Sequence, residues 1–128
     1  MKDFLQWFGL KQKLHDNKAK VPFVRERDLW WVSLGENIGS EINGKSDLYS
    51  RPVVIIKKLA HGFFLVAPTT TKDHEGTWYV PIIFNEKKTN VCLHQIRTID
   101  YRRLSSRIGQ ISGDDFEIVK GGFKRLYL

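Results

Sequence analysis

Two apolar runs joined by a tight turn constrain this chain more than any other feature. Pro52-Val53-Val54-Ile55-Ile56 is almost wholly β-branched, and Phe63-Phe64-Leu65-Val66-Ala67 is the longest unbroken apolar stretch. Such side chains pack well on a pleated surface and crowd a helix. Ala60-His61-Gly62 lies between them, with a glycine able to adopt the left-handed turn conformation. The spacing predicts an antiparallel hairpin. Neither run alternates with polar residues, so Val53 to Ile56 is expected to be buried on both faces. The longest apolar run is also far short of the ~18 residues that a membrane-spanning helix needs.

The flanking sequence repeats this grammar. Asp28-Leu29-Trp30-Trp31-Val32-Ser33-Leu34 reads as a strand, and Gly35 to Ser50 as a long polar loop punctuated by Gly35, Gly39 and Gly44. A second polar loop, Pro68 to Gly76, leads to a strand at Thr77 to Ile83, with further short extended pieces at Asn90 to Gln95 and Arg97 to Tyr101. Helices are expected only at the two ends. Over the first fourteen residues Phe4, Trp7, Phe8, Leu10 and Leu14 share one broad face, and Asp3 stands at the capping position. Ser112, with Asp115 three residues on, caps a final helix whose apolar face is Phe116, Val119, Phe123 and Leu126. Gly121 and Gly122 interrupt it at a cost of ~1 kcal/mol each relative to alanine. Five or six short strands with peripheral helices predict a mainly β fold, a small, partly closed antiparallel barrel. Residues 1–26 then form an N-terminal helical arm and linker, and residues 27–128 the barrel domain.

At 128 residues, 41% of them hydrophobic, one domain with its own core is expected. The single cysteine, Cys92, excludes an internal disulfide and a cysteine-based zinc site. His15, His61, His74 and His94 lack metal-ligand spacing, so no metal and no cofactor are expected. Phe4 to Leu10 is broken by Gln6 and followed by Lys11 and Lys13, unlike a signal peptide, so a cytoplasmic location is expected. The net charge is +7. Residues 1–27 carry seven basic and three acidic groups, and residues 91–128 carry seven and four. A polyanionic partner, nucleic acid first, fits this balance, as does a solvated basic surface.

Five pieces in order carry a more specific signal. Asp28-Leu29-Trp30-Trp31-Val32, Gly39-Ser40-Glu41, Arg51-Pro52-Val53-Val54, Ala67-Pro68-Thr69-Thr70 and Gln95-Ile96-Arg97-Thr98-Ile99-Asp100 together resemble the MazF/PemK family of toxins. The resemblance runs from about Arg27 to Leu128. It implies an SH3-like barrel of the MazF/CcdB type. It also implies a homodimer that cleaves single-stranded RNA without a metal, and a cognate antitoxin that covers the same groove.

The residue chemistry fits that reaction. Cleavage through the ribose 2′-hydroxyl needs a base for its proton, an acid for the leaving 5′-oxygen, and donors for the phosphorane charge. Arg51 suits the last role, because its planar fork binds phosphate oxygens and stays charged. Thr69 offers a hydroxyl to a phosphate oxygen. The resemblance places the family's key arginine and threonine at these two positions. Glu41 can accept a proton, bond a base, or tie down loop amides. His94 stands where the family often carries an acidic or small polar residue. It is a candidate general acid or a strand residue facing solvent. Ser40, Asn43, Lys45, Thr70, Lys72 and Arg97 are candidate RNA contacts, and Gln95 a base-reading or scaffold residue. Arg97, Arg102, Arg103 and Arg107 can track an RNA backbone or form a solvated face. Lys45 to Ser50 lengthen the loop that overhangs the groove in this family.

Two other functions fit the same fold. A CcdB-like inhibitor would poison gyrase by binding, but those proteins use a C-terminal tail with tryptophan, and this chain ends Arg125-Leu126-Tyr127-Leu128. An inactive RNA-binding or interaction module is suggested by the His94 departure alone.

Overall fold

In the computed structural model of the chain, residues 3–45 and 49–128 are described. Three residues of the lengthened loop, at 46–48, lie outside them, as do the first two residues of the arm. Helix α1 spans Phe4–His15 and helix α2 Gly113–Tyr127. Between them run β1 (Asp28–Ser33), β2 (Ser50–Ala60), β3 (Phe63–Thr70), β4 (Tyr79–Phe84), β5 (Lys87–Cys92), β6 (Arg97–Asp100) and β7 (Leu104–Gln110). Single 3₁₀ turns at Leu93–Gln95 and Tyr101–Arg103 flank β6. All pairings are antiparallel. The strand order is β4-β5-β3-β2-β1-β7, and β6 pairs β3.

The expected hairpin is the centre of the sheet, and Val53 to Ile56 is buried on both faces, while the turn-side residues 57–60 and Phe63 are exposed. Val54 and Ile56 join one core cluster with Ala67, Val80, Val91, Leu93, Phe116 and Val119, under α2. Val53 and Ile55 join the other, with Val24, Trp30, Phe64, Val66 and Ile99. This is the mainly β architecture with peripheral helices that the sequence implies, with one difference. Strand pairing leaves β4 and β7 as edges, so hydrogen bonds do not close a barrel. The two edges meet through side chains: the Phe84 ring stands 2.7 Å from where a Cβ on Gly109 would lie.

Strand β7, which the sequence reading did not mark, continues the sheet beyond β1. Its anchor is Asp28, a fully buried carboxylate. Asp28 accepts hydrogen bonds from the Arg25 amide (2.9 Å), Trp30 Nε1 (3.2 Å) and Arg107 Nε (3.2 Å). These partners satisfy a charge that would otherwise be costly to bury. Helix α2 runs unbroken through both glycines. Gly122 faces inward, where Leu93 Cδ1 stands 2.7 Å from a hypothetical Cβ, whereas Gly121 faces open space. Close helix–sheet approach therefore accounts for one glycine and not the other. The Ser112 hydroxyl caps the helix, accepting from the Asp115 amide at 3.1 Å.

Helix α1 buries a single side chain, Trp7. Its indole lies against Gly35 and 5.6 Å from the Tyr49 ring, and the Arg103 guanidinium stands 5.8 Å from it. The Tyr49 hydroxyl donates to Gln6 Oε1 at 2.9 Å. The arm therefore holds both ends of the Gly35–Ser50 loop. No helix among the described residues is long and apolar enough to cross a membrane.

Candidate active site

Arg51 enters the site from the start of β2. Its Nε donates to the Asn43 carbonyl (2.9 Å) and its Nη1 to the Thr69 carbonyl (3.2 Å). These bonds use two of the five guanidinium N–H groups and fix the plane of the fork, leaving the others for a ligand. Partial burial lowers its pKa from the ordinary arginine value, yet an arginine remains cationic at neutral pH.

Register decides which threonine accompanies it. Val54 pairs Ala67 and Val53 pairs Pro68. Continued to the strand ends, this sets Thr70 across from Arg51 and Thr69 across from Pro52, and opposed residues share a face. Thr69, 2% exposed, donates its hydroxyl hydrogen to the Pro52 carbonyl at 2.8 Å. The hydroxyl expected of Thr69 is thus engaged with backbone. The Thr70 hydroxyl accepts from the Lys72 amide at 3.3 Å, and its own hydrogen is available for donation.

Two clefts meet at Arg51 and Thr70. The larger, about 470 Å³, is mostly apolar, with Trp31, Pro52, Ile82, Phe84 and Ile108 in its walls and Lys45 and Thr69 also lining it. The smaller, about 210 Å³, is polar. It brings together Arg51, Thr70, Lys72, His74, His94, Ser40 and Gln95 with Tyr79 and Cys92. Six of the expected site residues are therefore in one place. Glu41, Asn43 and Arg97 do not line either cleft.

The loop residues show why. Glu41 Oε1 accepts from the Ile38 amide at 2.9 Å, closing a turn. Asn43 Oδ1 accepts from the Asn37 amide, and the Asn37 side chain donates to the Leu34 and Ile42 carbonyls. Gln95 Oε1 accepts from the Ile42 amide (3.1 Å) and its Nε2 donates to the Ser40 carbonyl (3.0 Å). Of its two readings, these bonds match the scaffold. Lys45 pairs with Ser50 through backbone, closing the loop onto β2. Arg97 is half-buried, and burial lowers its pKa while nearby Glu41 opposes the shift. The other arginines of that stretch have local partners. Arg102 pairs with Asp100 at 2.8 Å, Arg103 donates to the Ser33 carbonyl at 3.1 Å, and Arg107 holds Asp28. Each of the three is tied to the fold by these bonds.

Two imidazoles flank one phenol ring in the polar cleft. His74 stacks on Tyr79 at 4.5 Å and 7°, and His94 meets the same ring edge-on at 5.1 Å and 69°. Partial burial lowers the His94 pKa below the usual 6.5, and the nearby His74 lowers it further. His94 is therefore mainly neutral at neutral pH. From sequence, His74 stands out only as a histidine without metal-ligand spacing. The signal that finds it is the Tyr79–Cys92 register, which carries the loop before β4 to the turn after β5. Burial pushes the Cys92 thiol up to about 11, so it stays protonated and inert. Among the described residues no three His, Cys, Asp or Glu side chains gather as a metal site.

The profile of the PemK-like, MazF-like toxins of type II toxin–antitoxin systems matches residues 25–127. The chain belongs to this family. Among curated sequences, none matches significantly. Among solved structures, MazF of Deinococcus radiodurans is similar with a TM-score of 0.67 at 21% identity, over 84% of this chain and 97% of that one. A mycobacterial endoribonuclease in complex with its cognate antitoxin is similar at 0.63 and 12% identity, over 80% and 93%. The Mycobacterium tuberculosis toxin MazF-mt6 follows at 0.58 and 19%, over 77% and 94%. These likenesses are of fold. Helix α1 lies outside the residues that the family profile matches.

Proposed function

We propose that this MazF-like chain is an endoribonuclease that cleaves single-stranded RNA by attack of a ribose 2′-hydroxyl on the adjacent phosphate. The observation that carries the reading is the meeting of Arg51, Thr70, Lys72, His74 and His94 in one polar cleft. Neutral His94 takes the 2′-hydroxyl proton as the new O2′–P bond forms. The free N–H groups of Arg51 and the Thr70 hydroxyl donate to the phosphorane oxygens, and Lys72 adds charge. The P–O5′ bond breaks as His74 protonates the leaving oxygen. The two imidazoles flank the Tyr79 ring from two sides, which gives the cleft one side chain for the base and another for the acid. The products are a 2′,3′-cyclic phosphate and a 5′-hydroxyl. Each role has a side chain, so cleavage is expected to persist in EDTA.

Partners follow from the same reading. The structural neighbours include MazE–MazF assemblies and an endoribonuclease bound to its antitoxin. An antitoxin of this chain would lay an acidic or amphipathic segment over the cleft, and the active form would be a homodimer. The test is incubation of long single-stranded RNA with the protein in EDTA, followed by mapping of the ends. Discrete cuts with 5′-hydroxyl ends are expected, slowed about 10²–10³-fold in Arg51→Ala. RNA left intact by antitoxin-free, folded protein would overturn the reading and turn attention to gyrase inhibition or simple RNA binding.

A further inference from the structure

The rings in the polar cleft do not stop at its wall. From His94 the row continues to Trp78, 6.1 Å away at 53°, and from Trp78 to Tyr127, 6.1 Å away at 62°. Phe123 backs Tyr127 at 5.3 Å. Trp78 is 42% exposed and Tyr127 46%. A tryptophan needed only for packing would bury more of its large surface.

The corner that presents these rings is rigid. The Leu93 amide donates to the Trp78 carbonyl at 2.7 Å, and the Tyr127 hydroxyl donates to the Leu93 carbonyl at 2.6 Å. The last turn of α2, which carries Tyr127, also carries Lys124 and Arg125, both exposed. The result is a row of open aromatic rings with cations at both ends: Arg51 and Lys72 in the cleft, Lys124 and Arg125 at the helix end. Proteins that hold single strands combine these two elements, stacking bases on aromatic rings while basic groups follow the phosphates.

We infer that Trp78 and Tyr127 form a nucleobase-stacking subsite for the RNA strand as it leaves the cleft. The inference rests on the ribonuclease reading and extends it. Stacking is tolerant of base identity, because every base has a π-face. The subsite therefore contributes affinity and places the strand along the cleft without setting the cleavage motif. The other candidate occupant, an apolar protein segment, lacks the charge logic of the two cationic ends.

The test uses a random-sequence pool of short, fully 2′-O-methylated RNA, which cannot be cleaved, titrated into wild type, Trp78→Phe, Trp78→Leu and Lys72→Ala. Trp78→Phe keeps a ring and should bind close to wild type. Trp78→Leu keeps apolar bulk and should bind at least about fivefold more weakly. Its salt dependence should not change, whereas Lys72→Ala should flatten the salt slope by about one. Wild-type tryptophan fluorescence should be quenched by RNA more than that of Trp78→Phe. This second readout stands even if the leucine variant folds poorly. Equal binding by Trp78→Leu and wild type, or equal quenching in wild type and Trp78→Phe, would overturn the subsite. If wild type cleaves long RNA and this happens, only the subsite fails. If wild type neither binds nor cleaves RNA, the ribonuclease reading fails with it.

Discussion

The β2–β3 hairpin and the Gly35–Ser50 loop meet at Arg51, yet they hold their shape in different ways. The hairpin is fixed by backbone ladders and by cores on both faces. Its site side chains, Arg51 and Thr70, stand on a frame that does not depend on them. The loop has no ladder of that length, only scattered backbone bonds such as Lys45–Ser50 and Gly44 to Gly35. It is held by its own polar side chains, Asn37, Glu41 and Asn43, by Gln95 from below and by Trp7 from the arm. Polar residues near a cleft thus divide into two kinds. Arg51 and Thr70 on the hairpin keep donors for a ligand, and Asn37, Glu41 and Asn43 in the Gly35–Ser50 loop are consumed in replacing the hydrogen bonds that the loop lacks.

Perturbations that act on chemistry should therefore separate from those that act on shape, beginning with the largest. His94 follows β5 on a 3₁₀ turn, is exposed, and has ring contacts with Tyr79 in the cleft and Trp78 beside it. His94→Ala is expected to slow cleavage by about 10²–10⁴, with little change in the thermal midpoint. The pH profile gives an independent sign. A base must be neutral, so kcat/KM in the wild type should fall as pH drops through the lowered His94 pKa. The midpoint of that acid limb should lie below 6.5, and the limb should vanish in the variant. An acid limb retained in His94→Ala would assign the proton elsewhere.

Trp7→Ala is the matching change on the loop side. The indole is 6% exposed, and removing so large a buried side chain costs about 3–5 kcal/mol. Chemical denaturation should show that loss. At temperatures where the variant remains folded, kcat/KM should fall as well, because the loop that positions the Arg51 fork has lost its anchor. Full activity in a destabilised Trp7→Ala would mean that the loop's own hydrogen bonds suffice.

Thr69 and Thr70 bring the comparison down to adjacent residues. Thr70→Val should slow cleavage about 10²-fold with stability nearly unchanged. Thr69→Val leaves the Pro52 carbonyl without its partner and should cost about 1–3 kcal/mol with a much smaller change in rate. The pair also shows what was legible in the sequence. The hairpin was, because β-branched runs around a glycine turn admit few alternatives. So were both caps and the inward stripe of α2. The partner of Arg51 was not. Ala60 pairs Phe63 at the turn, and read straight through that register sets Arg51 opposite Lys72. Two irregularities, between Lys58 and Ala60 and between Ile55 and Lys57, each shift the pairing by one and bring Thr70 opposite instead. Bulges leave no reliable mark in composition. Strand β7 was hidden for a related reason. Its residues Leu104 to Gln110 hold only two large apolar side chains, Leu104 and Ile108, and do not alternate, and the strand is recruited by the Arg107–Asp28 pair, a contact across 79 positions.

Glu41 offers the smallest expected effect and the sharpest discrimination. From sequence it could be a base or a loop tie, and both need an acceptor oxygen. Only the base needs a titratable one. Glu41→Gln keeps an oxygen for the Ile38 amide and removes the ability to take a proton. Its carboxylate is exposed and lines neither cleft, so the tie is the role its geometry supports. Cleavage by Glu41→Gln should stay within about threefold of wild type, since surface changes that keep their hydrogen bonds are nearly neutral. Glu41→Ala, which leaves the amide without a side-chain partner, should lose more in both stability and rate. A fall of about 10² or more in Glu41→Gln would instead be the signature of a general base. The proton would then pass through the loop, and the division between an acting strand and a structural loop would break at this residue.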